Sequence, residues 1–177
     1  LFATTTAISD IGAPAVGNGD GIFDLNETVR LNLVLENEGT APATGITATL
    51  TSGDANLQVV DGSGGYPDLA VGQSAAPSNT FLVKALGSAT DRYETKATLT
   101  ITANGGAYVR SEPVVVLIGA PLLERYQISI SDVGVGNGNG IIEANEDQLL
   151  TCKVRNNGRG TVRTLLGKLR ALDAQTV

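Results

Sequence analysis

The sequence has no histidine, no tryptophan and no methionine, a single cysteine, and aromatic residues at only 4%. Without histidine there is no His-based catalytic triad, no imidazole zinc site and no member of the commonest class of general base. A lone Cys152 forms no internal disulfide, and no histidine is there to activate it as a nucleophile. Its place in the pattern, matching Leu33 earlier in the chain, reads as a small core position. Basic residues are also scarce, twelve Lys and Arg against eighteen Asp and Glu for a net charge of -6. The loose scatter from Lys153 to Arg170 alternates with apolar residues and reads as the wet side of a strand. It is not the concentrated basic face that nucleic-acid binding requires. No run approaches the roughly 20 apolar residues of a membrane span. The opening at Leu1 carries neither an initiator Met nor a charged stretch followed by an apolar one, so the chain reads as a mature or excised piece of a longer one.

What is present is oxygen and glycine, arranged twice. Gly17-Asn18-Gly19-Asp20-Gly21-Ile22-Phe23-Asp24-Leu25-Asn26-Glu27 returns 119 residues later as Gly136-Asn137-Gly138-Asn139-Gly140-Ile141-Ile142-Glu143-Ala144-Asn145-Glu146. Oxygen-bearing side chains separated by glycines let a short loop curl around one centre, which suits a hard cation, with calcium the expected ion. Set against the pattern D-x-[DN]-x-[DN]-G-x5-E, Asn18 and Asp20 fill the acid or amide positions and Glu27 the closing one. The backbone carbonyl of Ile22 and the side chain of Asp24 fill those between. The first ligand position is missing, since Val16 and Val135 stand there. Asp10 and its counterpart Asp132 are the candidates to supply it, although three more residues separate Asp10 from its loop than Asp132 from its own. The expected ligand sets are thus Asp10, Asn18, Asp20, Ile22, Asp24 and Glu27, then Asp132, Asn137, Asn139, Glu143 and Glu146. The alternative is a metal-free turn, because Gly, Asn and Asp are also what positive backbone φ demands.

The flanks exclude an EF-hand, which needs helices on both sides. Residues 28–37 instead alternate with period two, Val29, Leu31, Leu33 and Leu35 on one face and Arg30, Asn32 and Glu36 on the other. Further strands are expected at 4–11, 44–51, 57–60, 81–86, 95–103 and 108–118, with an Asn104-Gly105-Gly106 hairpin turn between the last two. Pro113 predicts a bulge or a sheet edge. Residues 61–77 read as a loop anchored by Tyr66 and Leu69. Strands at this spacing, with no helical period, predict two antiparallel sheets packed face to face. Residues 1–119 then form one complete module with its loop. After a short Gly119-Ala120-Pro121 linker, 120–177 form the first half of a second, with Leu150, Cys152 and Val154 repeating Leu31, Leu33 and Leu35, and Leu165 and Leu169 echoing Ile46 and Leu50. Its apolar face is expected to be covered by another copy of the chain or by a continuation of it.

The string GNGDGIFDLNETVRLNLVLENEGTAPATGITATL, with the later YPDLAVGQSA and FLVKA, resembles the tandem immunoglobulin-like β-sandwich modules of secreted bacterial surface proteins and proteases. The resemblance covers residues 4–119 and the first half of a module in 125–177. It implies an all-β immunoglobulin-like fold, an extracellular or cell-surface setting, and a structural or adhesive task rather than catalysis, with other copies or adjacent repeats as partners and no small-molecule substrate. The alternatives are a filament subunit completed by strands from its neighbour and an accessory carbohydrate-binding domain, for which the chain offers three Phe and no Trp to stack on a sugar.

Overall fold

The computed structural model describes residues 1–141 and 143–170, so Ile142 and the end of the second segment up to Val177 lie outside the described residues. In chain order the strands are β1 (Phe2–Ser9), β2 (Thr28–Glu36), β3 (Thr47–Thr51), β4 (Leu57–Asp61), β5 (Ser63–Gly65), β6 (Ser74–Ala75), β7 (Phe81–Ala85), β8 (Tyr93–Ala103), β9 (Tyr108–Ile118), β10 (Leu123–Ser131) and β11 (Leu149–Asn156).

The first nine strands make two antiparallel sheets. One runs β1-β2-β7-β4 with β6 added alongside β2, and the other runs β5-β3-β8-β9. The strict alternation of β2 decides how they meet, for it sends Val29, Leu31, Leu33 and Leu35 into the interior, where none is exposed. Opposite them, Leu50 of β3, Leu99 and Ile101 of β8 and Val116 of β9 complete one continuous core with Phe81 and Val83 of β7. Small side chains dominate, and the rings of Tyr66 and Phe81 span the layers. Tyr66 is buried, and its hydroxyl donates to the Leu33 carbonyl at 2.7 Å. Burial pushes the Tyr66 phenol far above its ordinary value, which keeps that donor protonated.

Several expectations need correction. The stretch 61–77 is not plain loop, because β5 pairs with β3 and β6 with β2. These strands, three and two residues long, are too short to display a period. The Tyr66 and Leu69 anchors are both buried as expected. β9 is an edge strand, and Pro113 sits opposite Thr98 with the register unbroken, so the edge forms without the bulge.

β10 and β11 form a separate two-stranded antiparallel sheet. No third strand forms among the described residues at Leu165 to Leu169. Its counterpart β3 is held between β5 and β8, and no such partners stand beside 165–169 among the described residues. For the same reason Cys152, expected as a core position, is exposed. Leu150 and Val154 remain 39% and 45% exposed, so nothing in residues 1–119 covers that face.

Candidate functional site

The first loop hangs between β1 and β2 and is stitched down at both ends. Its exit is pinned by the Asn26 N–H donating to the Ala85 carbonyl and the Leu25 N–H donating to the Gly119 carbonyl, at 3.0 and 3.2 Å. At its entry, Asp10 is buried, and its Oδ2 accepts the N–H groups of Gly19 at 2.8 Å and Gly21 at 3.4 Å. Asp10 therefore reaches the loop, as the expected ligand set requires, and does so as an acceptor for the loop backbone.

The two copies close in the same way. Gly19, Gly21 and Asn26 have φ of 84°, 76° and 66°, and the matching Gly138, Gly140 and Asn145 have 79°, 79° and 63°. That is a left-handed conformation only glycine and asparagine adopt cheaply. Asn18 Oδ1 accepts the Asp20 N–H, and Asp20 Oδ1 accepts the Ile22 N–H. In the second copy Asn137 accepts from Asn139, and Asn139 from Ile141. Asp132, despite its different spacing, holds the Gly140 N–H at 3.0 Å, and its Oδ1 is buried with no partner among the described residues. In the first copy the extra residues are taken up by a turn in which the Ala15 N–H donates to the Gly12 carbonyl.

The copies differ in what lies over them. Asp24 and Glu27 are buried, whereas Glu143 is exposed and Glu146 only partly covered. The cover on the first loop is the turn after β11. Thr161 donates its N–H to Asp24 Oδ2 at 2.8 Å, and Arg163 donates to Glu27 Oε1 at 2.7 Å. Glu27 Oε2 accepts the Asp24 N–H at 3.3 Å. Burial raises the Glu27 carboxyl above its ordinary value; the neighbouring Asp24 charge adds to this, while the Asp24 N–H and Arg163 oppose it. In the second loop Glu146 is held instead by the Asn137 N–H and the Gln148 amide, and Asn137 and Asn139 both donate to Glu143 Oε2.

The joint between the two segments is equally direct. Gly158 and Gly160 pack on the linker so closely that a Cβ would fall 2.2 Å from the Ala120 carbonyl oxygen at the one and 2.6 Å from the Ala120 Cα at the other. Asp91 Oδ1 accepts N–H bonds from both sides of the joint, Ala120 at 3.1 Å and Arg159 at 3.0 Å. Burial pushes the Asp91 carboxyl up. The N–H groups of Arg159 and Ala120, with the Arg92 charge, outweigh that and hold it below the ordinary aspartate value of 3.8. A carboxylate with a lowered folded value adds stability that is full above its unfolded value and is lost as pH falls through the folded one. Melting temperature should therefore fall more steeply between about pH 5 and pH 3 in the native chain than in Asp91→Asn. Parallel slopes would show that Asp91 does not carry charge-dependent stability at the joint.

Among the described residues, no three Asp, Glu, His or Cys side chains converge as a metal-binding group. The oxygens that do converge are mixed, from Asp20, Asp24 and the Thr161 hydroxyl, gathered around the Asn18 amide nitrogen. Asp24 Oδ1 is buried without a partner among the described residues. An unmatched buried carboxylate oxygen costs about 1 to 3 kcal/mol or more. Asp91, Thr161 and Arg163 were not marked by sequence reasoning. For Thr161 and Arg163 the one sequence signal is a departure within the repeat, where Arg163 replaces Thr44 and Thr161 replaces Pro42. In comparison with known proteins, the chain matches no protein-family model and no curated protein sequence. Among the described residues, no helix is long and apolar enough to cross a membrane.

Proposed function

We propose that this chain is a non-enzymatic, calcium-stabilised structural or adhesive element of an extracellular or cell-surface protein, built of immunoglobulin-like sandwich repeats joined end to end. The observation that carries this reading is the duplicated loop. Two stretches 119 residues apart hold the same left-handed positions, the same two successive side-chain-to-backbone bonds along the loop and an aspartate at the base. The partly buried acidic set of the first loop gives it a reason to hold a cation. Calcium tolerates irregular sets of carboxylate, amide, hydroxyl and carbonyl oxygens, and this set is of that kind. In the first loop the ion would draw on Asn18, Asp20, Asp24 and the Ile22 carbonyl, with Asp10 and Glu27 fixing the loop about it. In the second, Asn137, Asn139 and Glu143 would serve, with Asp132 and Glu146 beside them.

A ligand that binds only the folded state stabilises it by RT ln(1 + [L]/Kd), about 2.7 kcal/mol when calcium stands at roughly 100 times its Kd. Thermal melting in calcium chloride should therefore lie above melting in a chelator. Superimposable curves would dispose of the calcium reading.

A second reading, assembly with other copies of the chain, draws on the β10–β11 sheet. Ile128, Ile130, Leu150 and Val154 share one face and are all at least 39% exposed, an apolar surface that soluble assemblies normally cover. Sedimentation of the chain over a concentration series tests it, with a single monomeric species at all concentrations as the opposing result.

A further inference from the structure

One atom of the first loop has more acceptors around it than hydrogens to give. Asn18 Nδ2 lies 2.9 Å from Asp20 Oδ2, 3.3 Å from Asp24 Oδ2 and 2.9 Å from Thr161 Oγ1. An amide nitrogen carries two hydrogens, so three oxygens around it are one more than it can satisfy well. Two of those oxygens belong to carboxylates, and a neutral amide does not balance them. The third comes from a residue 143 positions away in the chain.

Asp24 adds an independent observation. Its side chain is 3% exposed, and Oδ1 has no hydrogen-bond partner among the described residues. That oxygen points into the joint, 2.8 Å from where a Gly119 Cβ would stand. Asp24, Pro121, Gly160, Thr161 and Arg163 together line a cavity of about 160 Å³ there. The carboxylate is thus turned toward the second segment, with one oxygen on the Thr161 N–H and the other free. Glu27 is differently placed, since Oε1 is held by Arg163 and Oε2 by the Asp24 N–H.

We propose that the first loop and Thr161 form one divalent-cation site shared across the joint, with the Thr161 hydroxyl as a ligand supplied by the second segment. The ion takes the place of the Asn18 amide nitrogen among the oxygens of Asp20, Asp24 and Thr161. The Asn18 side chain swings back from that position and turns to present Oδ1, giving up its bond from the Asp20 N–H. The Asp20 and Thr161 oxygens, at 2.9 Å from that point, need to close by about 0.3 Å and the Asp24 oxygen, at 3.3 Å, by about 0.7 Å to reach the upper end of the calcium–oxygen range of about 2.3 to 2.6 Å. Glu27 is then not the closing ligand of the pattern but the buried anchor for Arg163. This deepens the calcium reading above and rests on it, adding that the ion fastens the two segments to each other. The second loop has no such donor among the described residues. Its matching set also carries one carboxylate, Glu143, in place of the Asp20 and Asp24 pair, so it binds more weakly.

The test is calorimetric titration of calcium chloride into the whole chain, freed of metal with a chelator, for the native protein, Thr161→Val and Thr161→Ser. Valine keeps the shape and the backbone N–H while removing the hydroxyl. The native chain should show a tighter and a weaker site. Thr161→Val should weaken the tighter one by about tenfold or more, the scale of losing one interaction at a metal centre. The weaker site should not change, and Thr161→Ser should restore the tighter one. Coincident melting curves of all three in chelator would establish that the loss is not one of folding. An unchanged tight site in Thr161→Val overturns the shared site and leaves the loop reading standing, and failure of serine to restore binding overturns the hydroxyl as ligand. Absence of any binding to the native chain up to about 10 mM calcium, beyond the weakest extracellular sites, overturns both proposals.

Discussion

Phe81→Ala should lower the unfolding free energy of the first segment by about 3 to 5 kcal/mol, much of what a domain of this size has to spare. Phe81 is fully buried in β7, backbone-paired to Leu31, and its ring reaches across the core to β5 of the opposite sheet. It ends on Gly64, where an added Cβ would lie 2.4 Å from the ring Cζ and 3.1 Å from both Cε atoms. Gly64 has no side chain to move into the space the ring vacates, so the cavity persists and the cost falls at the high end for its type. The reciprocal change, Gly64→Ala, overpacks the same contact and should cost about 1 to 3 kcal/mol. Because the two changes act on one contact, Gly64→Ala should cost less in the Phe81→Ala background than alone. Urea unfolding followed by circular dichroism measures all of these. A loss under 1 kcal/mol for Phe81→Ala, or strict additivity, would mean that the ring does not bridge the sheets as described.

Legibility in the sequence follows how local the cause is. β2 can be read directly because burial of one face writes itself into successive residues, and all of Val29, Leu31, Leu33 and Leu35 are fully buried. The loops are legible for a similar reason: Gly19, Gly21 and Asn26, and Gly138, Gly140 and Asn145 after them, hold a left-handed φ required at their own positions. β5 and β6 escape notice because their pairing is decided by the strands beside them. The cover over the first loop is less visible still, since Thr161 and Arg163 meet Asp24 and Glu27 from 137 and 136 residues away. The closing glutamate shows the limit of a motif. Its position fits the expected pattern, yet the neighbours that take its two oxygens lie outside any local pattern. Cys152 and Leu165 mark the opposite limit, because alternation specifies which face is apolar but not whether anything covers it.

Leu33→Ala and Asp20→Ala should separate the core from the loop. Leu33 is fully buried in β2, its side chain in the interior between the sheets and its carbonyl accepting the Tyr66 hydroxyl. Truncating it should cost about 2 to 5 kcal/mol, and the cost should be equal in calcium and in chelator, because nothing in that contact touches the loop oxygens. Asp20 is exposed, accepting the Ile22 N–H at 2.8 Å, the Asn18 amide at 2.9 Å and the Thr161 hydroxyl at 3.3 Å. In chelator its loss should cost only about 0.5 to 1.5 kcal/mol, the worth of ordinary hydrogen bonds that water readily replaces. In saturating calcium it should remove as well whatever stability the ion adds, about 2.7 kcal/mol at 100 times Kd. Unfolding of both variants with and without calcium forms a complete thermodynamic square with the native chain. The calcium-dependent difference belongs to Asp20→Ala alone if the loop holds the ion and the core does not. An equal calcium dependence in both variants would place Leu33 in the same cooperative unit as the ion, and a dependence in neither would remove the loop from the stability of the fold.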